Sequence, residues 1–441
     1  MNAKLSASKI GLLIVIALAV GSASLAAQDK PASWHITTLY AFTGNADGAV
    51  PYGGVVLDAA GNVYGTTTNG GNFGGESCGS AGCGVVFKID PRGHESLLHT
   101  FTGYPGDGAN PSEGVFRDSV GRLYGLTPSF FLGLYQLQTR PTFCAAVLCP
   151  WNETLYNISG GGSIGDLPTS IPVVDAQGNV YATSTTGGTG TNCNGGCGFV
   201  FKVNAEGQFT IYNFQGGSDG ATPLGPLLLA GDGSLYGTTL SGGDNPACPN
   251  GCGTVYKIDA DGNYSLVYAF TGGNDGFSPY SGVIADGQGT LYGATVVGGL
   301  HSSFCIGGTC GVIFKLIPNQ NGWTESVLYS FQGNADGGNP YGGLLRDSQG
   351  NLYGTTNTGG FCQYGPYCGT VYKLDSAGNK TTLWNFSGGT DGYVPEYGSL
   401  VMDQQGSLYG TTIWGGDLSA TNPACTGFNG PGCGVVFKLT P

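Results

Sequence analysis

Each of the 14 cysteines has a near neighbour of its own kind, one pair to each of seven tandem units about sixty residues long. The pairs are Cys78/Cys83, Cys144/Cys149, Cys193/Cys197, Cys248/Cys252, Cys305/Cys310, Cys362/Cys368 and Cys425/Cys433. Pairs this local cannot tie distant parts of a fold together. Each can staple only its own loop, and such staples persist in oxidising compartments. The chain is therefore expected to be an exported repeat protein whose seven pairs are all local disulfides.

The repeat is in register on one tyrosine. Tyr64, Tyr124, Tyr181, Tyr236, Tyr292, Tyr353 and Tyr409 sit in VYGTT, LYGLT, VYATS, LYGTT, LYGAT, LYGTT and LYGTT. Within one unit, four short runs rich in Val, Ile, Leu, Tyr and Phe are separated by Gly and Asp turns: 53–59, 62–68, 84–90 and 94–102. Runs of this composition and length are strand signals. Asp58-Ala-Ala-Gly61 and Asp90-Pro-Arg-Gly93 are tight turns joining first to second and third to fourth strand. Four antiparallel strands per unit, repeated, is the blade pattern of an all-β propeller.

The phase of the units predicts how the ring closes. Residues 34–42 (WHITTLYAF) match the fourth strand of other units, such as YSLVYAF at 264–270, whereas the last unit ends on its third strand, GVVFKL at 434–439. A seven-bladed β-propeller whose N-terminal strand completes the last blade leaves no strand unpaired and no sheet edge exposed.

The combination DGxxP, DxxGNLYGTT and CGxVFK resembles the GloVer tandem repeat of exported bacterial proteins, over essentially the whole stretch from Trp34 to Leu439. The segment VVLDAAGNVYGTT is also similar to the first half of an NHL-type propeller blade, without the Arg that usually follows in that repeat. The resemblance implies export and names no reaction.

The N-terminal residues have the order of a secretory signal peptide: Lys4 and Lys9, an apolar run over 10–20, then small residues up to Ala27. Residues 1–27 are expected to be removed, leaving 28–441 as a single monomeric propeller domain, without a membrane span, in the periplasm or outside the cell. A net charge of −13 argues against nucleic acid or anionic membrane as partner.

In such a propeller the second-to-third loops and the blade-to-blade loops share one face, and the tight turns lie on the other. Six cysteine pairs fall in second-to-third loops. Asp47, Asp107, Asp219, Asp275, Asp336 and Asp391 open Asp-Gly-x-x-Pro turns in the blade-to-blade loops, with Asp166 in a degenerate seventh copy. A ring of carboxylates suggests calcium, but that ion takes six to eight oxygens and each loop supplies about one carboxylate. An Asx turn explains the motif, so these Asp are expected to be structural and no cofactor is expected. Asp58, Asp118, Asp175, Asp286, Asp347 and Asp403, at the tight turns, are read in the same way. The two Cys of a loop, with almost no His nearby, do not make a zinc site.

Catalytic signatures are thin. His35, His94, His99 and His301 are spread over different units, and the 84 Gly follow the repeat rather than a phosphate-binding loop. Lys88, Lys202, Lys257, Lys315, Lys373 and Lys438 mark one repeat position in the third strand. The second unit departs from the pattern: its third strand, 133–138, follows the second directly, and its cysteines come afterwards. The notch this leaves on the loop face is bordered by Phe130, Phe131 and the loop around Asp166, which makes these three the candidate ligand contacts. The expected role is a non-catalytic binding module for an extracellular glycan or protein. A carbohydrate-active hydrolase or lyase with its carboxylates on the loop face, and a structural surface protein, are the alternatives.

Overall fold

The computed structural model describes residues 33–73, 78–103, 107–127, 132–139, 151–158, 170–204, 206–360, 368–419, 425 and 432–441. From Trp34 onward these form one folded unit. It is a ring of seven small antiparallel sheets, a seven-bladed β-propeller. Blade 1 comprises Val56–Leu57, Val63–Thr67, Val85–Ile89 and Glu95–Thr100, paired in that order from the axis outwards. The last blade takes Val401–Met402, Leu408–Thr412 and Val435–Thr440 from the C-terminal end and His35–Ala41 from the N-terminal end. His35 pairs with Thr440 and Ala41 with Val435, so the N-terminal strand closes the ring as expected.

The tyrosine and the glycine of the LYGTT motif have distinct jobs. Its tyrosine lies opposite the third-strand lysine, as Tyr64 does Lys88 and Tyr409 does Lys438, with the ammonium 6.0 and 5.1 Å from the ring centre. Its glycine makes room for the third-strand aromatic: a Cβ on Gly65 would lie 2.6 Å from the Phe87 ring, and one on Gly354 2.5 Å from the Tyr372 hydroxyl. That aromatic, fully buried, meets the Phe that ends the preceding blade. Phe42 and Phe87 stand 5.2 Å apart, Phe214 and Tyr256 5.0 Å, Phe331 and Tyr372 5.2 Å, Phe386 and Phe437 5.3 Å. These edge-on or tilted contacts glue blade to blade, each adding about 1 kcal/mol beyond its buried area.

The first strands are shorter than the sequence suggests. Only Val56–Leu57 of residues 53–59 joins the ladder, because the residues before it bond to neighbouring blades instead. The Gly53 carbonyl accepts from the Thr411 hydroxyl (2.9 Å), and the Ser281 carbonyl from Thr238 (3.1 Å). Outer strands carry a bulge that turns one extra apolar side chain inward, such as Leu98 between the pairs Phe87/Leu97 and Val86/His99. The second blade has no bulge there; its third strand, Leu132–Thr139, pairs with Trp151–Ile158 in unbroken register. Its cysteines fall between these two strands, outside the described residues.

Five cysteine pairs are disulfides in the second-to-third loops: Cys78–Cys83, Cys193–Cys197, Cys248–Cys252, Cys305–Cys310 and Cys425–Cys433. Cys368 is also disulfide-bonded, while Cys144, Cys149 and Cys362 lie outside the described residues. Peptide mapping without reductant should return only within-loop links. Because each staple closes a loop of just 4 to 8 residues, its loss should cost at most roughly 2.5 kcal/mol. Reduction should then lower Tm in proportion to the bonds opened, and links between loops would contradict this reading. Among the described residues, no helix is long and apolar enough to cross a membrane.

Candidate functional site

The blade-to-blade loops are built around their aspartates. Asp47 accepts from the backbone N–H of Thr43 (2.7 Å) and Asn45 (3.1 Å) and from the hydroxyls of Thr43 (2.6 Å) and Tyr40 (3.2 Å). The same design recurs with a different outer-strand donor: Tyr212 to Asp219 (2.8 Å), Tyr268 to Asp275 (3.0 Å), Tyr329 to Asp336 (2.8 Å) and Trp384 to Asp391 (3.1 Å). On the outer strand of the first blade the partner is His99, whose Nε2 lies 2.6 Å from Asp107. The aspartate thus ties each outer strand to the turn that leads into the next blade. These hydrogen bonds fill much of each carboxylate's accepting capacity. Among the described residues, no group of three or more His, Cys, Asp or Glu is arranged to hold a metal ion.

The tight-turn aspartates of the opposite face work alike. Asp58 accepts from the N–H groups of Ala60 and Asn62, the Asn62 amide and the Tyr64 hydroxyl. Burial works against this carboxylate, but those donors outweigh it and hold its pKa below the usual range. The repeat's tyrosine is therefore the cap of a turn as well as the partner of a lysine. In the fourth blade Ala230 stands at this position, and Asp232 receives the Ser234 N–H (2.9 Å) instead.

With the aspartates occupied in holding loops, the ligand-sized space on the loop face lies elsewhere. A cleft of about 610 Å³ opens between the stapled loops of the third and fourth blades. Cys193 and Cys248 stand in its walls, so both sides are loops held by disulfides. Its polar lining comes from Asn192, Asn194, Asp244 and Asn250, all exposed, with Thr222 and Ser241 behind them. Asp244 and Thr222 hold φ of 52° and 59°, a left-handed backbone uncommon for either residue. Among the described residues, no lysine or arginine lines the cleft. Amide side chains offer donor and acceptor together, which matches neighbouring hydroxyls on a neutral ligand.

A second feature sits on the axis. The residue after the Asp-Gly-x-x-Pro turn is Tyr52, Tyr280 or Tyr341 in three blades, and Tyr397 follows Glu396 in the last. Their rings gather around Tyr397: Tyr52 stacks on it at 4.3 Å, Tyr280 lies at 5.1 Å and Tyr341 at 5.4 Å. Glu113 of the second blade shares with Tyr280, Tyr341 and Tyr397 a cavity of about 30 Å³, room for a water molecule or two. Glu113 still touches the axial space but is packed on every side at longer range, and this burial pushes its pKa up to about 8.

The sequence reading placed its ligand contacts elsewhere. Phe130, Phe131 and Asp166 lie outside the described residues. It also passed over both the axial tyrosines and the asparagine cleft. The recurring Pro-Tyr step, at 51–52, 279–280 and 340–341, was the available signal for the tyrosines. The cleft left none, since its asparagines belong to ordinary loop composition.

A family model described as the Gloeobacter/Verrucomicrobia repeat matches residues 76–306 and 305–441. No curated protein matches the chain. Among solved structures, the extracellular domain assigned to a hybrid two component system from B. thetaiotaomicron is similar at TM-score 0.53 and 12% identity, over 93% of this chain and 41% of that one. This chain thus spans less than half of that relative's length. A protein assigned as a 6-phosphogluconolactonase from Bacteroides uniformis aligns at TM-score 0.48 and 13% identity, over 86% of this chain and 99% of that one. A protein from Lactobacillus plantarum, described without an activity, aligns at TM-score 0.47 and 14% identity, with the same coverages of 86% and 99%. At such identities the likeness is one of fold, and a shared propeller does not carry a shared activity.

Proposed function

We infer that this chain, which belongs to the Gloeobacter/Verrucomicrobia repeat family, is an exported binding module that holds an extracellular glycan on its loop face. The observation that carries this reading is the polar cleft of about 610 Å³ between two disulfide-stapled loops. Its volume suits a short oligosaccharide, and its walls are fixed before the ligand arrives, which reduces the entropy lost on binding. Asn194 and Asn250 both line it, each offering a donor and an acceptor, and among the described residues no cationic side chain lines it to select an anionic ligand. Local disulfides and a leader-like N-terminus support export.

A glycan array probed with the mature protein tests the reading. Retention of a family of neutral oligosaccharides is expected, and the retained glycan should be recovered intact after prolonged incubation. Cleavage of the retained glycan would favour the hydrolase or lyase reading. An array without a signal would leave the structural role.

A further inference from the structure

We propose that the axis of the ring carries a second site, independent of the cleft: a cage of tyrosines and glutamates that takes a compact monovalent cation, an ammonium ion or the head of a primary amine. Glu113, Tyr280, Tyr341 and Tyr397 line the axial cavity, and its volume of about 30 Å³ fits a group the size of water or ammonium. Tyr52 stacks on the far side of Tyr397, and Glu396 precedes Tyr397 in the chain. Three lining tyrosines and the Glu113 carboxylate, backed by Tyr52 stacked on Tyr397 and Glu396 hydrogen-bonded to it, are the surroundings that attract a desolvated cation.

The protein already houses an ammonium group in this way. Lys380 Nζ is buried 2.9 Å from an Asp336 carboxylate oxygen and 3.1 Å from the Thr382 hydroxyl. The rings of Tyr329, Phe331 and Tyr372 stand 5.9, 5.7 and 6.0 Å from it. The axial cage offers the same two ingredients, aromatic faces and carboxylate, without a lysine. Among the described residues, no ion pair reaches Glu113 or Glu396; the hydrogen bond found for Glu113 is a long one from Ser112 Oγ (3.4 Å), and Glu396 is hydrogen-bonded to Tyr397.

The titratable groups of the cage are Glu113, Tyr280, Tyr341 and Tyr397, which line the cavity, and Glu396 and Tyr52, which contact Tyr397. Burial pushes Glu113 up to about 8 and Glu396 up to about 7, and it raises all four tyrosines above their ordinary value. Near neutral pH only the glutamates change charge. A cation prefers them ionised, so binding releases protons and strengthens as pH rises from 6 to 8.5.

Calorimetric titration of the full mature chain with methylammonium chloride, against sodium chloride at equal ionic strength, tests the site. Saturable binding is expected, at least tenfold tighter at pH 8.5 than at pH 6. Ammonium chloride should compete, whereas tetramethylammonium, too large for the cavity, should not. The near-isosteric double variant E113Q/E396Q should lose at least tenfold in affinity. Because it removes two buried acids, it should melt no lower than the wild type, which separates loss of the site from loss of the fold. Binding that tetramethylammonium matches, that does not change with pH, or that survives in the variant would overturn the proposal, as would no binding at all.

Discussion

Deleting residues 34–42 should leave a protein that no longer folds as a stable monomer. The strand His35–Ala41 supplies the entire outer edge of the last blade and pairs with Val435–Thr440 along its length. Phe42 is fully buried, its ring 5.2 Å from Phe87 and its N–H on the Gly434 carbonyl (3.1 Å). Trp34, Ile36, Leu39 and Tyr40 pack against the same core. At about 2 kcal/mol per large apolar side chain, these contacts sum to roughly the whole net stability of an ordinary domain. The remaining edge would also present unpaired backbone groups to a second molecule. Aggregation, or a fall in Tm of more than about 15 °C, is the expected outcome. Moving residues 34–42 behind Pro441 through an Asn-Gly turn should rescue the fold, since His35 already lies opposite Thr440. A deletion variant that remains monomeric and melts like its parent would mean that the strand is dispensable.

Gly282→Ala should have the largest effect of any single added methyl group. The inner segments of neighbouring blades touch backbone to backbone: a Cβ on Gly282 would lie 2.0 Å from the Pro226 carbonyl oxygen, and one on Gly225 2.2 Å from the Gly282 nitrogen. The obstacle is main chain of the adjacent blade, so no rotamer change relieves it. A destabilisation of about 3 kcal/mol is expected, at the upper end of what overpacking costs. Gly231→Ala is the matched control. Nothing lies within 4 Å of its added Cβ, and its φ is not in the left-handed region. It should change stability by less than about 0.5 kcal/mol. Equal melting of the two variants would show that the axis yields more readily than this packing allows.

The ring was legible because its repeating chemistry is local. The motif tyrosine, its turn aspartate six residues earlier and its cross-strand lysine all lie within one blade, as in Asp58, Tyr64 and Lys88. The closing strand was legible because Tyr40 and Phe42 keep the spacing of Tyr268 and Phe270. Strand lengths near the axis were misjudged for a physical reason. The stretch without a polar side chain already begins at Gly53, but the backbone there bonds to other blades, as Gly53 does with Thr411. The axial cluster was harder still. Tyr52 and Tyr397 stand 345 positions apart in the chain yet stack at 4.3 Å, and only closure of the ring brings them together. The cleft depends on how two polar loops are held, which follows from glycine and disulfide geometry more than from any motif.

The central claim, that the cleft between the third and fourth blades holds the ligand, is tested most directly by titrating the glycan retained on the array into the wild type and into Asn194→Trp. Asn194 is exposed and lines the cleft, so an indole there should fill the space without disturbing the core. Binding at least tenfold weaker, at an unchanged Tm, is the predicted result. Equal affinity in the two proteins, or an array on which the wild type retains nothing, would contradict it.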